Sequence, residues 1–151
     1  MKIGLISDTH GLMREAALTA LRGSDLIIHA GDVGSPAVLD ALRALAAVVA
    51  VRGNIDRQSW AASLPVTTIA QAGPARIYVL HNLHDLDFNP AEAGFHLVVS
   101  GHSHQPGRTD LGGVIYINPG SAGPRRFKLP VTVVRLNTGS EPWKVKFVEV
   151  G

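Results

Sequence analysis

The first hydrophobic run of the chain is short and ends abruptly in polar residues. Ile3 to Ile6 is apolar except for one glycine, and Asp8-Thr9-His10-Gly11 follows closely. A run of this length predicts a buried strand, and the glycine marks its end. In an extended chain, residues i and i+2 point to the same side, so we expect Asp8 and His10 to face a common point beyond the strand. Such a pair is half of a metal site, although alone it is more often a turn aspartate followed by a surface histidine.

The first third of the chain continues with alternating helical and strand patterns. Met13–Leu21 places apolar side chains at helical spacing, and Asp25–Ala30 is a second apolar run. Ser35-Pro36 predicts a helix start, with the serine as N-cap and the proline in the first turn. Ala47–Val51 is a third apolar run. This order of strands and helices predicts parallel strands joined by helical crossovers.

The second half of the chain is rich in strand patterns. Val66–Ala70 and Arg76–Leu80 are separated by Gly73-Pro74, which predicts a hairpin. Further strands are predicted at Phe95–Ser100, Val114–Asn118, Val131–Leu136 and Lys144–Val150, and weak helical patterns at Asp56–Ser63 and Pro90–Ala93. The whole pattern predicts an α/β protein in which two β-sheets pack together with helices outside. Ligands of α/β units bind at the carboxyl ends of the strands.

Composition narrows the chemistry that the chain can perform. The 151 residues suit one domain spanning residues 1–151, and none of them is cysteine, which excludes disulfides, thiolate metal sites and cysteine nucleophiles. The formal net charge is +2, and the one compact basic cluster is Arg125–Lys128, so nucleic acid is not the expected partner. No segment approaches the roughly 20 apolar residues of a membrane span, and no signal-peptide pattern is present. We expect a soluble, cytoplasmic protein whose oligomeric state the sequence leaves open.

Side chains that can bind a metal follow the predicted strands at the points where these strands end. They are Asp8, His10, Asp32, Asn54, His81, His102 and His104. Seven ligands are too many for one tetrahedral ion and suit two ions that share a bridging carboxylate, an arrangement with ions roughly 3.5–4 Å apart in phosphatases and nucleases. A mixed oxygen and imidazole set favours manganese, iron, zinc, cobalt or nickel over magnesium and calcium. We expect two divalent ions, with manganese as the first choice.

The order of these residues resembles a known family. The motifs Asp8-x-His10, Gly31-Asp32, Gly53-Asn54, His81 and Gly101-His102-x-His104 resemble those of the calcineurin-like metallophosphoesterase superfamily. Gly53-Asn54-Ile55-Asp56 is most similar to the small YfcE-type phosphodiesterases. The resemblance implies a four-layer α/β/β/α sandwich of two mixed β-sheets flanked by helices.

The resemblance also implies roles for the seven residues. Asp8, His10, Asp32 and His104 would hold one ion, and Asp32, Asn54, His81 and His102 the other, with Asp32 as the bridge. Asn54 would also bind the substrate phosphate, so Asn54 and Asp32 are the expected catalytic residues. The implied activity is hydrolysis of small phosphodiesters, with a hydroxide that bridges the two ions attacking phosphorus. The alternatives are a protein-interaction scaffold similar to the retromer subunit of this fold, a phosphomonoesterase or a nuclease.

Two positions depart from the family pattern. Ile55 stands where many members have a histidine that protonates the leaving group, and isoleucine cannot transfer a proton. The fourth motif, usually His-Gly, is His81-Asn82-Leu83-His84 in this chain. Asp56 and His84 are therefore alternatives for a general acid, and His84 is also an alternative to His81 as a metal ligand. His29 is expected to be a packed residue or to support the ligands rather than to bind metal itself.

Overall fold

The computed structural model describes residues 1–151, which form two five-stranded β-sheets. The strands are β1 Lys2–Ile6, β2 Leu26–His29, β3 Ala47–Ala50, β4 Thr67–Ala72, β5 Ala75–Leu80, β6 Leu97–Val99, β7 Gly107–Leu111, β8 Val114–Asn118, β9 Thr132–Asn137 and β10 Lys144–Glu149. The helices are α1 Glu15–Leu21 and α2 Pro36–Arg43, with two short 3₁₀ helices at Ser59–Ser63 and Leu83–Asp85.

Sheet A has the strand order β10-β9-β1-β2-β3. Strands β1, β2 and β3 are parallel and are joined through α1 and α2, as the alternating sequence pattern predicts. The Ser35 hydroxyl accepts a hydrogen bond from the Ala37 backbone N–H, and Pro36 is the first residue of α2, so the predicted helix start is confirmed. Strands β9 and β10 extend the sheet in antiparallel fashion.

Sheet B has the strand order β4-β5-β6-β8-β7, and β4 and β5 form the predicted hairpin. Strand β7 was not predicted from the sequence. All five of its residues are exposed, so its sequence lacks an apolar periodicity. Gly112 and Gly113, which join β7 to β8, both have positive φ. Two adjacent glycines of this kind are the usual composition of a two-residue hairpin loop, so a signal for the missed strand was present.

The hydrophobic core has two main parts. One lies between the sheets and joins side chains such as Ile3 and Leu5 of β1 to Ile77 and Val79 of β5. The other packs α1 and α2 against the opposite face of sheet A. The outer face of sheet B carries a smaller cluster. The weak helical patterns form only a 3₁₀ helix at Ser59–Ser63, whose Ala61 joins the cluster on sheet A, and a turn at Pro90–Ala93. The predicted sandwich of two mixed sheets is confirmed, with its α-helical layer concentrated on sheet A.

No helix of the structure has the length and apolar character that crossing a membrane requires.

Loops from both sheets meet beyond the carboxyl ends of β1, β2, β5 and β6. The Asp8 and His10 backbone N–H groups donate to the carbonyls of Gly31 and Asp32, each at 3.0 Å, which continues the β1–β2 pairing into the loops. The Gly101 N–H donates to the His81 carbonyl at 2.9 Å and joins the loop after β6 to the end of β5. Six of the seven predicted ligands follow these strands, and Asn54 lies in the loop after β3.

Candidate metal centre

Left-handed backbone conformation marks the centre. Six non-glycine residues of the chain have positive φ, and five of them are predicted ligands: Asp8, His10, Asp32, His102 and His104, with φ between 48° and 72°. This conformation is unfavourable for residues with a Cβ and persists where the surrounding structure imposes it, often at functional sites. The expectation that Asp8 and His10 converge because they lie in extended chain is wrong in its geometry. β1 ends at Ile6, and left-handed turns orient the two side chains.

The turns bring five of the seven predicted ligands together. His104 Nε2 lies 3.4 Å from Asp8 Oδ1, and His10 Nε2 lies 3.5 Å from Asp32 Oδ2. His81 Nε2 lies 3.3 Å from Asp32 Oδ2 and 3.9 Å from Asp8 Oδ1. Two groups of potential ligands result: Asp8 with His10 and His104, and Asp8 with Asp32 and His81. Both aspartates therefore lie between histidines that the resemblance gives to different ions.

Each of the two aspartates has one oxygen fixed by the protein and the other directed at the centre. Asp8 Oδ2 accepts hydrogen bonds from the Ser7 hydroxyl at 2.7 Å and the His102 backbone N–H at 3.1 Å. Asp32 Oδ1 accepts one from the Ile55 backbone N–H at 3.1 Å. Asp8 Oδ1 and Asp32 Oδ2 are left facing the imidazoles. The protein thus orients both carboxylates before any ligand binds.

The glycine before a ligand leaves room for the carboxylate of another loop. A Cβ added at Gly53 would overlap Asp32 Oδ1, and one added at Gly101 would overlap Ser7 Oγ and Asp8 Oδ2. The Gly-Asn and Gly-His pairs in the sequence therefore have a steric cause.

A metal ion fits the donor atoms that the centre presents. Asp8 Oδ1, His10 Nε2 and His81 Nε2, three of the atoms that face one another here, are buried and have no hydrogen-bond partner. Buried polar atoms in folded proteins almost always have partners, so three such atoms in one cluster require an explanation. Carboxylate oxygens and imidazole nitrogens are suitable donors for first-row divalent ions. The residues present therefore fit the bound metal that the sequence predicts.

Burial and the pairing of opposite charges act against each other on the pKa values of two aspartates and two histidines of the centre. Burial raises the pKa of Asp8, even though the Ser7 hydrogen bond and the charges of His81 and His104 oppose it. Burial also acts to raise the pKa of Asp32, but the hydrogen bond and charge of His81 outweigh it and the pKa is lowered. The same pairing with Asp32 raises the pKa of His81 against the effect of burial. Burial lowers the pKa of His104.

Asn54 and His102 lie beside the cluster and contact each other. Both side chains are exposed, and His102 Nδ1 is 3.3 Å from Asn54 Oδ1. The His102 ring also packs edge-on against the ring of His81, with 5.2 Å between their centroids. The structure places these two predicted ligands at the rim of the centre rather than within either close group.

His29 ties together the loops that carry Asp8 and Asp32. Its Nδ1 accepts a hydrogen bond from the Gly31 N–H at 3.1 Å, so its Nε2 carries the proton and donates to Thr9 Oγ1 at 3.0 Å. The Thr9 hydroxyl in turn donates to the Val33 carbonyl at 2.8 Å. His29 is fully buried, and burial lowers its pKa to about 4. It supports the ligand loops and does not contact the centre.

Asp56 joins the loop of Asp32 to the loop of Asn54. Its Oδ2 accepts hydrogen bonds from the backbone N–H groups of Val33 and Gly53, and its Oδ1 accepts one from Gly34, all within 3.0 Å. The side chain is only 2% exposed. Both oxygens are committed to the backbone, which argues against Asp56 as a general acid. Sequence analysis had no signal for this role, because it depends on three N–H groups of two loops.

The other departures from the family pattern lie near the centre but outside it. Ile55 is 40% exposed, and its contribution to the cluster is the backbone N–H that Asp32 accepts. His84 is exposed at the second 3₁₀ helix, and its backbone N–H donates to the Asn82 side chain. It lines a neighbouring cleft together with His102.

The chain is similar to known proteins over most of its length. Residues 1–141 match the calcineurin-like phosphoesterase superfamily domain. The chain belongs to this superfamily. A probable metallophosphoesterase of Methanothermobacter thermautotrophicus is 35% identical, over 91% of this chain and 87% of that protein. Superfamily membership confirms the resemblance on which the sequence analysis rests.

Solved structures of phosphoesterases and of Vps29 share the fold of this superfamily member. An archaeal phosphodiesterase has a TM-score of 0.79 at 20% identity, over 98% of this chain and all of that chain. The phosphoesterase YfcE of E. coli has a TM-score of 0.72 at 22% identity, over all of both chains. Vps29 of Chaetomium thermophilum has a TM-score of 0.77 at 19% identity, over 98% of this chain and 97% of that chain. At these identities the similarity establishes the fold.

Proposed function

We propose that this phosphoesterase is a phosphodiesterase that hydrolyses small phosphodiesters with two divalent metal ions, for which manganese is our first choice. The observation that carries the proposal is the cluster of three buried donor atoms without hydrogen-bond partners, formed by Asp8, His10 and His81. When bound, the ions would neutralise phosphate charge and lower the pKa of a coordinated water. Asp8, His10, Asp32 and His104 would hold one ion, and Asp32 and His81 the other, with Asn54 and His102 at its rim.

The residues around the centre can bind a phosphate group, but they offer no clear proton donor for a leaving group. The contact of the Asn54 side chain with His102 uses Oδ1, and the Asn54 amide nitrogen makes no hydrogen bond. This amide nitrogen is free to donate to a phosphate oxygen and orient the substrate. No acid occupies the Ile55 position, and both Asp56 oxygens are engaged. We therefore expect substrates whose leaving group departs without a proton to react fastest.

A scaffold role is the second candidate, and the shared fold with Vps29 favours it. A scaffold has no need of a complete ligand set, yet this chain carries all seven residues and brings five of them together. We therefore rank catalysis first. A nuclease would need an extended basic groove at the centre, and the compact basic cluster Arg125–Lys128 is too small to provide one.

The test is hydrolysis of bis(p-nitrophenyl) phosphate by purified protein before and after removal of metal. Chelation should abolish p-nitrophenol release, and Mn²⁺ should restore it together with about two bound ions per chain. His104→Ala should lose bound metal, whereas the exposed His84→Ala should keep it and serves as the matched control. Full activity of protein shown to be metal-free would refute the proposal. Two tightly bound ions without hydrolysis of any phosphoester would favour the scaffold.

A further inference from the structure

The largest cleft of the molecule opens beside the metal centre. It has a volume of about 540 Å³. Its lining includes Asn54, His81 and His102, together with Arg52 and Arg57. Only two of its lining residues are hydrophobic, Val66 and Leu80. The cleft therefore suits a polar ligand that also contacts the centre.

Arg52 and Arg57 bring positive charge to this cleft without a compensating carboxylate. The ion pairs that arginines form in this structure are Arg43–Asp40 and Arg108–Asp110, so neither cleft arginine has an acidic partner within 4.0 Å. The lining contains two acids: Asp56, whose oxygens accept backbone N–H groups, and the exposed Asp85. The two arginines therefore direct a positive field into the cleft that is opposed there by the exposed Asp85 and the buried Asp56.

A backbone hydrogen bond holds the side chain of Arg57 in place. Arg57 Nε donates to the Asn54 carbonyl at 2.9 Å, which leaves its two terminal nitrogens without partners. Arg52 is half-buried in the lining of the same cleft. The guanidinium of Arg57 is thus fixed to the residue whose side-chain amide we propose to bind the substrate phosphate.

We propose that Arg52 and Arg57 bind a second phosphate group of the substrate, next to the phosphodiester that is hydrolysed. The substrate class is then a small phosphodiester that carries a further phosphate. Guanidinium groups bind phosphate oxygens through paired, charge-assisted hydrogen bonds, which suit such a group better than a neutral sugar or lipid chain. This inference rests on the proposed phosphodiesterase activity.

The test uses two chromogenic substrates with the same scissile bond. Thymidine 5′-(p-nitrophenyl phosphate) lacks a second phosphate, and its 3′-phosphorylated counterpart carries one. The Mn²⁺-loaded protein should have a KM for the second substrate lower by on the order of tenfold. Arg52→Gln and Arg57→Gln should each bring the ratio of the two KM values close to one. Arg22→Gln, an exposed arginine outside this cleft, is the matched control and should keep the ratio.

A binding measurement separates this inference from the proposed activity. Thymidine 3′,5′-bisphosphate should bind metal-free protein in calorimetry, and both cleft variants should weaken the binding. Equal KM values for the two substrates on the wild type would overturn the inference and leave the phosphodiesterase intact. If neither substrate is hydrolysed, the proposed activity fails, and the calorimetry decides the inference alone. Unchanged bisphosphate binding in both variants would then overturn it.

Discussion

His29 should make the folded protein sensitive to mild acid. In the fold its imidazole is neutral, with Nδ1 accepting from Gly31 and Nε2 donating to Thr9. A second proton on Nδ1 would displace the Gly31 hydrogen bond and place a charge in a fully buried site. Burial accordingly lowers the pKa of His29 from 6.5 to about 4. In the unfolded chain the same imidazole takes up its proton near pH 6.5.

The size and sign of the effect follow from this difference. Between pH 6.5 and 4 the unfolded state binds the proton and the folded state does not, so acid favours unfolding. The difference of about 2.5 pH units corresponds to roughly 3 kcal/mol of unfolding free energy. This contribution is fully present at pH 7 and above. It declines as the pH falls below 6.5 and is lost near pH 4.

The assay is urea unfolding of metal-free protein at several pH values from 7.5 to 4, for the wild type and His29→Gln. Glutamine keeps a donor for Thr9 but does not titrate, and other titrating groups contribute equally to both proteins. The advantage of the wild type over the variant should shrink by about 3 kcal/mol across this range. Parallel stability curves for the two proteins would refute the reasoning.

Three further predictions concern the centre and its loops. Asp32→Asn should lose more bound metal than Asp8→Asn if Asp32 bridges the two ions. Metal analysis of both variants checks this, and two tightly held ions in Asp32→Asn would contradict the bridge. Ile55→His should accelerate aryl diesters with poor leaving groups more than those with good ones, because a general acid contributes on the order of 10²–10⁴-fold where the leaving oxygen needs a proton. A leaving-group series tests this, and a dependence that steepens in His84→Ala would instead identify His84 as the acid. Asp56→Asn should lower the unfolding free energy by about 1–3 kcal/mol, because an amide nitrogen cannot accept the backbone hydrogen bonds of a carboxylate oxygen. Urea denaturation measures this loss, and an unchanged midpoint would count against the loop-joining role.

The sequence predicts those parts of the fold that leave a hydrophobic pattern. The strands β1 and β2 are recognisable because their apolar runs are buried, and β3 is recognisable as an apolar run although it is only partly buried. A predicted ligand follows each of the three strands within a few residues. Strand β7 leaves no such pattern, because it is an exposed edge held by backbone pairing to β8. A periodic pattern of apolar residues arises where one face of a strand packs against the core, and the exposed strand β7 has no such face.

Five residues that gather at the centre were predictable from the sequence, but the way in which they are held was not. Gly-Asp and Gly-His pairs at strand ends are visible in the sequence, whereas the left-handed turns at Asp8 and Asp32 result from loops pairing across the fold. The roles of His29 and Asp56 depend on hydrogen bonds to backbone N–H groups of residues brought close only by folding. A backbone group carries no side-chain signature, so no residue pattern reveals such contacts.

The left-handed ligand positions set folding stability and metal binding in opposition. Each costs on the order of 1 kcal/mol for a residue with a Cβ, and the five together cost roughly 5 kcal/mol, which is comparable to the whole stability of a small domain. Glycine at His10 would relieve its share of this cost and delete an imidazole in the same step. In a chain under no selection for catalysis, replacing such a residue by glycine would make the free energy of folding more favourable. Loss of these residues in a chain without catalysis is therefore favoured by folding stability, and a chain that keeps all five left-handed residues does so at a cost in stability.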